Sequence, residues 1–466
     1  MMMSTPSCAV VGGGISGIAA AHYLRAAGVH VELLEQRGAP GGRMTTAMLD
    51  GHCVDLGGKN IGRRYRRFRA LAQELGSFAF EPFGINTSRI RNGRIVTLDS
   101  THRLQSTLAY IKGCPPADAI RLAALCARVW LDDRNRFLDG PSFAALARRA
   151  DDSPISSYFS AAFCRSVVRA MSVRMNGAEP DEIHLGNFGT HLGMWLDTYD
   201  QLKDGMGAFV RTAVAPLQVR CNVRVEQLMV RNGHVSGVLA RHDDGRLRHL
   251  AYDRVVLATP ACVSADLLRE HDALLAAALD EIRYFPVLVA VAAYGRPIFS
   301  PTVRGLSFGP DCALSNAGAY GIDRLDTVRY TFSGRKARAV IDAARSESGL
   351  SAQNAEGLLN MAEATLNRYI PVGREDRREF VTHLFDPGLC AYAPHHYRLR
   401  ALLRDPRHAI DGLALAGDYL RGASIEACMF SAQEAAACIA QSSPERHPRY
   451  TADPGYGFRA SGNVRH

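Results

Sequence analysis

The stretch Val10-Val11-Gly12-Gly13-Gly14-Ile15-Ser16-Gly17 joins a short apolar run to a segment rich in alanine and leucine. Its spacing is Gly-x-Gly-x-x-Gly, with glycines at Gly12, Gly14 and Gly17. In this pattern the first glycine permits a tight turn, the second lets the backbone approach a phosphate, and the third lets a helix pack on the sheet. The N-terminus of the helix then presents partial positive charge to an anion. The stretch therefore predicts a dinucleotide-binding turn.

The residues on either side of this turn complete a strand–helix–strand unit. We expect a strand at residues 7–12, a helix at 15–28 and a second strand at 29–35. Parallel pairing of the two strands requires a right-handed crossover. Glu35 ends the second strand, where a carboxylate accepts hydrogen bonds from the adenosine ribose hydroxyls. An acid at this position disfavours a ribose phosphate, so we do not expect NADP here.

Three further motifs point to the rest of one cofactor. Gly41-Gly42-Arg43-Met44 suits a second contact to a diphosphate. Asp55-Leu56-Gly57-Gly58 follows a predicted hairpin at 44–54, and its glycines let the backbone run along a flat ring. Near the C-terminus, Gly417-Asp418 ends a strand and suits ribityl hydroxyls, while the helix that starts near Ser424 can face a flavin ring. The four motifs together predict one extended FAD site.

The predicted fold class is α/β, with a Rossmann-like FAD-binding domain interleaved with an α+β substrate domain that contains a mixed sheet and a helical subdomain. The chain has 466 residues, which is too long for one compact core. We assign the FAD-binding domain to residues 1–80, 205–265 and 405–440. The substrate domain takes residues 81–204 and 266–404, with a helical insertion at about 100–180. Residues 441–466 are polar and are predicted to form a flexible tail.

The remaining elements are predicted from periodicity and turn residues. They are helices at Ala117–Trp130, Phe143–Ala150, 351–369 and Ser424–Ile439, a single strand Val219–Val230 followed by the turn Asn232-Gly233, and strands Val235–Ala240, Arg254–Ala258, 282–295, 327–333 and Gly412–Ala416.

Composition excludes several classes of protein. The formal net charge is +9, but the positive charge is nearly all arginine spread along the chain and mixed with acids, and its densest run at 63–69 is short and lies just after a cofactor motif. We therefore predict no nucleic-acid partner. No apolar run is long enough for a transmembrane helix, and the N-terminus does not read as a secretory signal. The eleven cysteines form no Cys-x-x-Cys pair, which predicts no metal site and reduced thiols in the cytoplasm.

The motifs resemble those of the flavin amine oxidase superfamily, which includes protoporphyrinogen oxidases, phytoene desaturases, amino-acid oxidases and monoamine oxidases. The matching pieces occur in the family's order and are Val10–Gly17, Glu35, Gly41–Met44, Asp55–Gly58, Gly205-Met206-Gly207-Ala208, Val256-Leu257-Ala258-Thr259-Pro260 and Ala416-Gly417-Asp418-Tyr419. The resemblance covers most of the chain and implies FAD, bound non-covalently. It also implies that the backbone from Val223 to Val225 contacts the adenine. Cys390 lies near the position where some relatives attach flavin, but we expect an ordinary buried thiol.

The predicted cofactor-binding residues combine the motifs and the resemblance. They are Gly12, Gly14, Ile15, Ser16, Gly17, Glu35, Gln36, Gly42, Arg43, Gly57, Gly58, Val225, Thr259, Gly417, Asp418, Ser424 and Ile425.

The substrate site is less well defined, because in this family the flavin performs the oxidation and the protein positions the substrate. Monoamine oxidases usually place a lysine under the flavin on a substrate-domain strand, and the corresponding strand here, Val287 to Tyr294, has none. Residues near the third and last motifs, and in an aromatic-rich stretch before Gly205, are the pocket candidates. They are Lys59, Asn60, Arg63, His191, Trp195, Tyr392, His395 and Tyr397.

The predicted function is that of an FAD-dependent oxidoreductase. Our first choice is removal of a hydride from a C–N bond of a small amine or amino-acid-derived metabolite, with oxygen as acceptor. The alternatives are C–C desaturation of a tetrapyrrole or isoprenoid, a flavin-dependent isomerase or cyclase without net redox change, and a non-catalytic flavin-bound assembly protein. Peripheral membrane contact through the helical region is not favoured, and both a monomer and a homodimer stay open.

Overall fold

A five-stranded parallel sheet forms the first layer around which the fold is built. The computed structural model describes residues 6–83, 86–99, 102–347 and 349–441. The predicted tail therefore lies outside the described residues from position 442 onward. In spatial order, the strands of the parallel sheet are Gln218–Arg220, His30–Leu34, Ser7–Val11, Arg254–Leu257 and Leu413–Leu415.

Two long helices pack together on this sheet. They are Ile15–Ala26, which follows the glycine turn, and Ile425–Gln441 near the C-terminus. Both present small buried residues, such as Ala19 and Ala432, so their backbones can approach closely. The first and last parts of the sequence thus share one hydrophobic core.

One predicted strand is wrong in its extent. Val219–Val230 was expected to be continuous, but it is divided into Gln218–Arg220 and Arg224–Arg231. Asn222 separates the two pieces in a left-handed conformation, with φ of +57°. Asparagine tolerates this conformation better than most residues. The first piece joins the parallel sheet, and the second starts an antiparallel sheet with His234–Arg241 and Leu247–Ala251, the last of which was not predicted.

The second large layer is a seven-stranded sheet that is antiparallel except at one pair. We call it the substrate sheet. Its strands, in spatial order, are Arg377–Ala391, Arg283–Tyr294, Thr327–Phe332, Leu314–Ala319, Gly305–Ser307, Asn86–Arg91 and Arg94–Asp99. The predicted strands 282–295 and 327–333 are confirmed, whereas the other five were not predicted.

Helices and short sheets connect the two layers. The helices predicted at 117–130, 143–150 and 351–369 are confirmed with small changes at their ends. Besides the two helices on the parallel sheet, the helices are Arg66–Leu75, Arg103–Ile111, Pro116–Leu131, Pro141–Ala150, Ala161–Phe163, Arg169–Asn176, Phe188–Trp195, Gly205–Val214, Ala261–Leu268, Ala273–Asp280, Arg335–Ala344, Ala352–Asn367, His396–Arg404 and Asp418–Arg421. The short sheets are Thr46–Leu49 with His52–Asp55, Ile61–Gly62 with Tyr199–Leu202 and Phe80–Pro82, and Arg345–Ser346 with Gly349–Leu350. The predicted α/β fold class is confirmed, and the domain boundaries stay a proposal.

A pair of buried histidines links the helical region to the C-terminal segment. The rings of His184 and His396 are 6.2 Å apart, and both side chains are buried. His396 donates through Nε2 to the carbonyl of Tyr419 at 2.9 Å. Burial, assisted by the nearby charge of Arg400, lowers the pKa of each histidine to about 3. Both are therefore neutral in the folded protein throughout the physiological range.

This pair predicts a loss of stability in mild acid. In the unfolded chain a histidine has a pKa near 6.5, so the unfolded state takes up protons below that pH and the folded state does not. The free energy of unfolding should fall between pH 7 and pH 5 by about 2 kcal/mol per histidine. Denaturant titrations at both pH values should show a smaller fall for His184→Gln than for the parent. The exposed His249→Gln serves as the control, and equal falls in both variants would contradict the assignment.

Candidate functional site

The glycine turn is shaped by tight packing on one side and by open space on the other. Gly12 has φ of +104°, and a Cβ added there would lie 2.8 Å from the carbonyl oxygen of Ala258. A Cβ on Gly17 would collide with the carbonyl of Gly12. Gly14, in contrast, has no heavy atom within 4 Å of the place where a Cβ would be. The fold therefore requires two of the glycines, and the third faces free space at the start of helix Ile15–Ala26.

Glu35 closes the turn from the neighbouring strand end. Its two carboxylate oxygens accept hydrogen bonds from the backbone N–H groups of Gly13 at 2.7 Å and Arg37 at 2.8 Å. Its carbonyl accepts from the N–H of Val223 at 2.9 Å, which holds the predicted adenine-contacting segment beside it. Val225 is buried in the strand that follows, whereas Gln36 is exposed.

The Gly41-Gly42 loop lies directly on the glycine turn. The N–H of Gly41 donates to the carbonyl of Gly13 at 2.8 Å. Gly42 has φ of +55°, and a Cβ there would be 3.1 Å from the Cα of Gly14. The two glycine motifs thus border the same space, as a shared diphosphate site requires.

Arg43 connects this loop to the C-terminal motif. Its guanidinium donates to Asp418 Oδ2 at 2.7 Å and to the carbonyl of Gly388 at 2.9 Å. The hydroxyl of Tyr284 donates to the other oxygen of Asp418 at 2.9 Å. Burial alone would lower the pKa of Arg43, but the charge of Asp418 outweighs it and raises that pKa. Arg43 is therefore a permanent cation, and about two fifths of its side chain is still accessible.

The Asp55–Gly58 motif and the last helix meet at the far end of the site. A Cβ on Gly57 would collide with the carbonyl of Arg43, whereas Gly58 is exposed. Ile425 Cδ1 lies 3.8 Å from the place where a Cβ on Gly58 would be. Ser424 caps the helix by accepting from the N–H of Ala427 at 3.1 Å. Exposed backbone at Gly58 and a helix N-terminus thus lie side by side.

The remaining predicted cofactor residues are held in place by hydrogen bonds to neighbouring side chains or by burial. Gly417 donates its N–H to Ser431 Oγ at 3.0 Å, and Thr259 shares a 2.8 Å hydrogen bond with Ser264. Ser16 is buried in the first turn of the helix that begins at Ile15.

These observations fit FAD. The free space at Gly14, at an N-terminus where no side chain caps the helix, suits a diphosphate. Glu35 borders the adenosine end, Arg43 and Asp418 the middle, and exposed Gly58 the ring end. The residues that would hold the cofactor thus line one continuous path.

A sequence model of the family described as "Flavin containing amine oxidoreductase" matches residues 15–440. The chain belongs to this family. FAD is the family's cofactor, so the predicted resemblance, cofactor and oxidoreductase class are confirmed.

Curated relatives match over a short segment of this family member. Amine oxidase [flavin-containing] B of Cavia porcellus is 46% identical over 76 residues, which is 16% of this chain and 15% of that protein. The probable flavin-containing monoamine oxidase A of Dictyostelium discoideum is 29% identical over 104 residues, or 21% of this chain and 23% of that protein. The matched segments thus span less than a quarter of each relative's length.

Solved structures match over nearly the whole chain. Cyclohexylamine oxidase from Brevibacterium oxydans IH-35A has a TM-score of 0.70 at 18% identity, covering 94% of this chain and 99% of that one. A triple mutant of putrescine oxidase has a TM-score of 0.70 at 19% identity, with the same coverage. At these identities the likeness establishes the fold.

Of the predicted substrate residues, Lys59 and Asn60 lie next to the exposed Gly58. Lys59 is buried between the rings of Phe83 and Tyr320, with Nζ 3.8 and 4.3 Å from their centroids, and it donates to the carbonyl of Tyr320 at 2.7 Å. The Oδ1 atom of Asn60 is buried without a hydrogen-bond partner. Arg63 is more than half exposed and is 3.4 Å from Asp200.

The other candidates are not gathered around Gly58. His191 is fully buried in the helical core, and burial lowers its pKa to about 4, while Trp195 packs at the edge of the same core. Tyr392 is buried and donates its hydroxyl to the carbonyl of Asp418 at 2.6 Å, behind the cofactor motif. The backbones of His395 and Tyr397 are both bound by Asp151. Their roles in a substrate pocket stay predictions.

Two arginines that were not predicted border the ring end of the site. Arg329, on the substrate sheet, donates to the carbonyls of Asp55 at 2.8 Å and Leu56 at 2.9 Å. Burial lowers its pKa to about 10, so it stays charged at neutral pH. Arg174 is exposed to a cavity that it lines, and partial burial there lowers its pKa too. Neither carries a sequence motif, and only the fold brings them to residues 55–59.

Two whole-chain features bear on the compartment. Within the described ranges, no helix combines the length and the apolar character needed to cross a bilayer. The eleven cysteines all lie in the described ranges, and none of them forms a disulfide there. The cytoplasmic location and the oligomeric state stay predictions.

The open space at Gly14 leads to a specific prediction. Gly14 has φ of −74° and ψ of −179°, which alanine adopts without strain, so Gly14→Ala should fold normally. Its methyl group would occupy the space assigned to the diphosphate and should weaken FAD binding at least tenfold, about 1.4 kcal/mol. FAD titration of the apoprotein measures the affinity, and thermal unfolding checks the fold. Gly357→Ala is the matched control, since it also has open space but lies on helix Ala352–Asn367. Unchanged FAD affinity in Gly14→Ala would refute the assignment.

Proposed function

We propose that the protein is an FAD-dependent oxidase that removes a hydride from a C–N bond of a small amine or amino-acid-derived metabolite, with molecular oxygen as acceptor. When bound, FAD would take up the hydride and supply the electrons to oxygen. The chain itself has to bind the substrate, orient it and exclude water. Gly12 to Gly17, Glu35, Arg43, Asp418 and the helix at Ile425 are the proposed FAD-binding groups.

The observation that carries this proposal is the polar wall beside exposed Gly58. Lys59, Asn60 and Arg329 form it, and all three are at least partly buried. Lys59 and Arg329 already donate to backbone carbonyls, but Asn60 Oδ1 has no protein partner among the described residues, and an isoprenoid would leave it unsatisfied, which is costly in an enclosed site. An N–H group of an amine substrate can donate to it. The wall therefore favours an amine or amino-acid-derived substrate over an isoprenoid.

The charges in this wall also suit amine oxidation. A C–N bond gives up a hydride when the nitrogen lone pair is free, so the amine must be neutral. The fixed charge of Arg329 disfavours an ammonium ion nearby. Burial lowers the pKa of Lys59 well below its usual value, which makes its amine a better proton acceptor near neutral pH. We propose that Lys59 and Arg329 together keep the bound amine deprotonated.

Relatives and cysteine chemistry support the remaining parts of the proposal. Cyclohexylamine oxidase and putrescine oxidase, whose folds this chain shares, are named for the oxidation of amines. Non-covalent FAD is favoured because burial raises the pKa of Cys390 well above its usual value. A thiol held in its protonated form is a poor nucleophile.

The proposal is tested by mixing the purified holoenzyme with amines and amino acids without oxygen. At least one C–N substrate should bleach the flavin absorbance, and admitting oxygen should restore it with release of hydrogen peroxide. Bleaching only by a tetrapyrrole would favour C–C desaturation. Turnover that needs reduced flavin but consumes no oxygen would favour the isomerase, and a flavin that no candidate bleaches would favour an assembly protein.

The Lys59 proposal predicts a separation of catalysis from cofactor binding. Lys59→Met keeps a side chain of similar length between the two aromatic rings but removes the amine. FAD should stay bound, while anaerobic flavin reduction at saturating amine should slow about tenfold or more, because one proton acceptor is lost. The exposed Lys336→Met controls for loss of a positive charge. A reduction rate equal to that of the parent at every pH would show that Lys59 only supports the structure.

A further inference from the structure

A second cavity, of about 400 Å³, lies in the substrate half of the molecule. We call it the basic pocket. It opens between the substrate sheet and the segment 162–174. Six of its lining residues are cationic, and within the described residues none is acidic. These six are Arg89, Arg91, Lys112, Arg165, Arg169 and Arg174.

Five of the six cations lack a carboxylate partner among the described residues. Arg169 is the exception, since it is bound by Glu179 at 2.7 Å. Arg89 and Arg91 donate to backbone carbonyls, of Ser166 and Lys112 respectively, and a carbonyl does not neutralise charge. The side chains of Lys112, Arg165 and Arg174 make no hydrogen bond or ion pair within the described ranges, and all three are accessible.

Sheet register connects this pocket to the flavin end of the site. Arg89, Ser307, Asn316 and Thr331 are direct partners across four adjacent strands, so their side chains share one face of the sheet. Arg329 lies two residues before Thr331 and points to the same face. Because Arg329 is bound to the backbone beside Gly57, one sheet face runs from the pocket to the flavin end.

Arg174 lies at the inner end of this path. It lines the basic pocket, and its charge lowers the pKa of both Lys59 and Arg329. The neighbouring Met175 borders a small recess that also contains Ser424, at the start of the last helix. Helix Arg169–Asn176 thus lies between the basic pocket, which Arg174 lines, and the recess at the start of the last helix, which Met175 lines.

We propose that the substrate carries a group with two or more negative charges, and that this group binds in the basic pocket while the C–N bond lies beside Gly58. The inference rests on the proposed function and narrows its substrate class. Cations clustered around one cavity focus an attractive field on anions, and arginine forks bind carboxylate and phosphate oxygens with two hydrogen bonds. The same field repels a diamine or polyamine. The oxygens are those of carboxylates or phosphates, at the end of the substrate remote from the amine.

Anion binding by the holoenzyme is the first test. Citrate and pyrophosphate are titrated calorimetrically, and whichever binds more tightly identifies the preferred oxygens. Affinity should fall at least tenfold in Arg165→Gln/Arg174→Gln, and also in Lys112→Gln/Arg165→Gln, whose sites are remote from the flavin. The control is Arg231→Gln/Arg368→Gln, which removes the same charge from exposed positions outside the pocket. Absence of binding, or equal loss in the control, would overturn the proposal.

Flavin reduction by charged and neutral amines is the second test. 6-Aminohexyl phosphate, whose dianionic phosphate is remote from the amine, should reduce the flavin at lower concentration than hexylamine, and putrescine should be the poorest of the three. The Lys112→Gln/Arg165→Gln variant, which leaves Arg174 in place, should lose this order while it still accepts hexylamine. Reduction by hexylamine without any preference for the anion would refute the anionic substrate and leave amine oxidation standing. Pocket-dependent anion binding with no reduction by any amine would refute amine oxidation and leave the anion site standing.

Discussion

The ion pair between Arg43 and Asp418 holds together parts of the sequence that are 375 residues apart. Arg43 ends the loop that lies on the glycine turn, and Asp418 begins the C-terminal motif. Tyr284 and Gly388 add hydrogen bonds from two adjacent strands of the substrate sheet. Removing Arg43 would leave the buried carboxylate of Asp418 without a compensating charge, which typically costs about 3–5 kcal/mol. The pair therefore joins the loop on the parallel sheet, two strands of the substrate sheet and the short helix Asp418–Arg421.

The buried cations of this molecule fall into two groups with different consequences. Arg43 has a carboxylate partner, and its pKa is raised. Arg329 is bound mainly by carbonyls, and its pKa is lowered because burial is not offset by a full opposite charge. A buried cation that is bound only by carbonyls destabilises the protein unless an anion compensates its charge. Cations of this kind lie along one face of the substrate sheet. They are the reason why we propose that the site binds negatively charged molecules.

Sequence reasoning succeeded where the structure is determined locally. The glycine turn and the hairpin at Asp50-Gly51 follow from spacing and turn chemistry within a few residues, and both are present. Sequence reasoning failed where a strand is defined by its pairing with a segment that is distant in the sequence. Arg377–Ala391 is rich in charged residues and contains Pro387 and Gly388, so its fifteen residues do not alternate clearly, yet pairing with Arg283–Tyr294 makes it a strand. Lys59 and Asn60 could be selected because they follow a motif, whereas Arg174 and Arg329 are brought to them only by the fold.

This division explains why the cofactor could be identified from sequence and the substrate could not. The cofactor contacts depend on backbone conformation and close packing, as at Gly17 and Gly57, where any side chain would collide with a carbonyl. Such requirements leave visible glycine motifs. Some of the proposed substrate contacts, such as Arg89 and Arg329, are side chains at alternate positions of strands, where register sets their direction and packing leaves the residue type free, whereas Arg165 and Arg174 lie on the helical segment across the pocket. A strand can exchange Arg89 or Asn316 for another residue without altering its hydrogen bonds, so specificity can change while the FAD site stays constant. The proposed preference for an anionic substrate thus depends on side chains that only the sheet register and the packing of the helical segment 162–174 bring together.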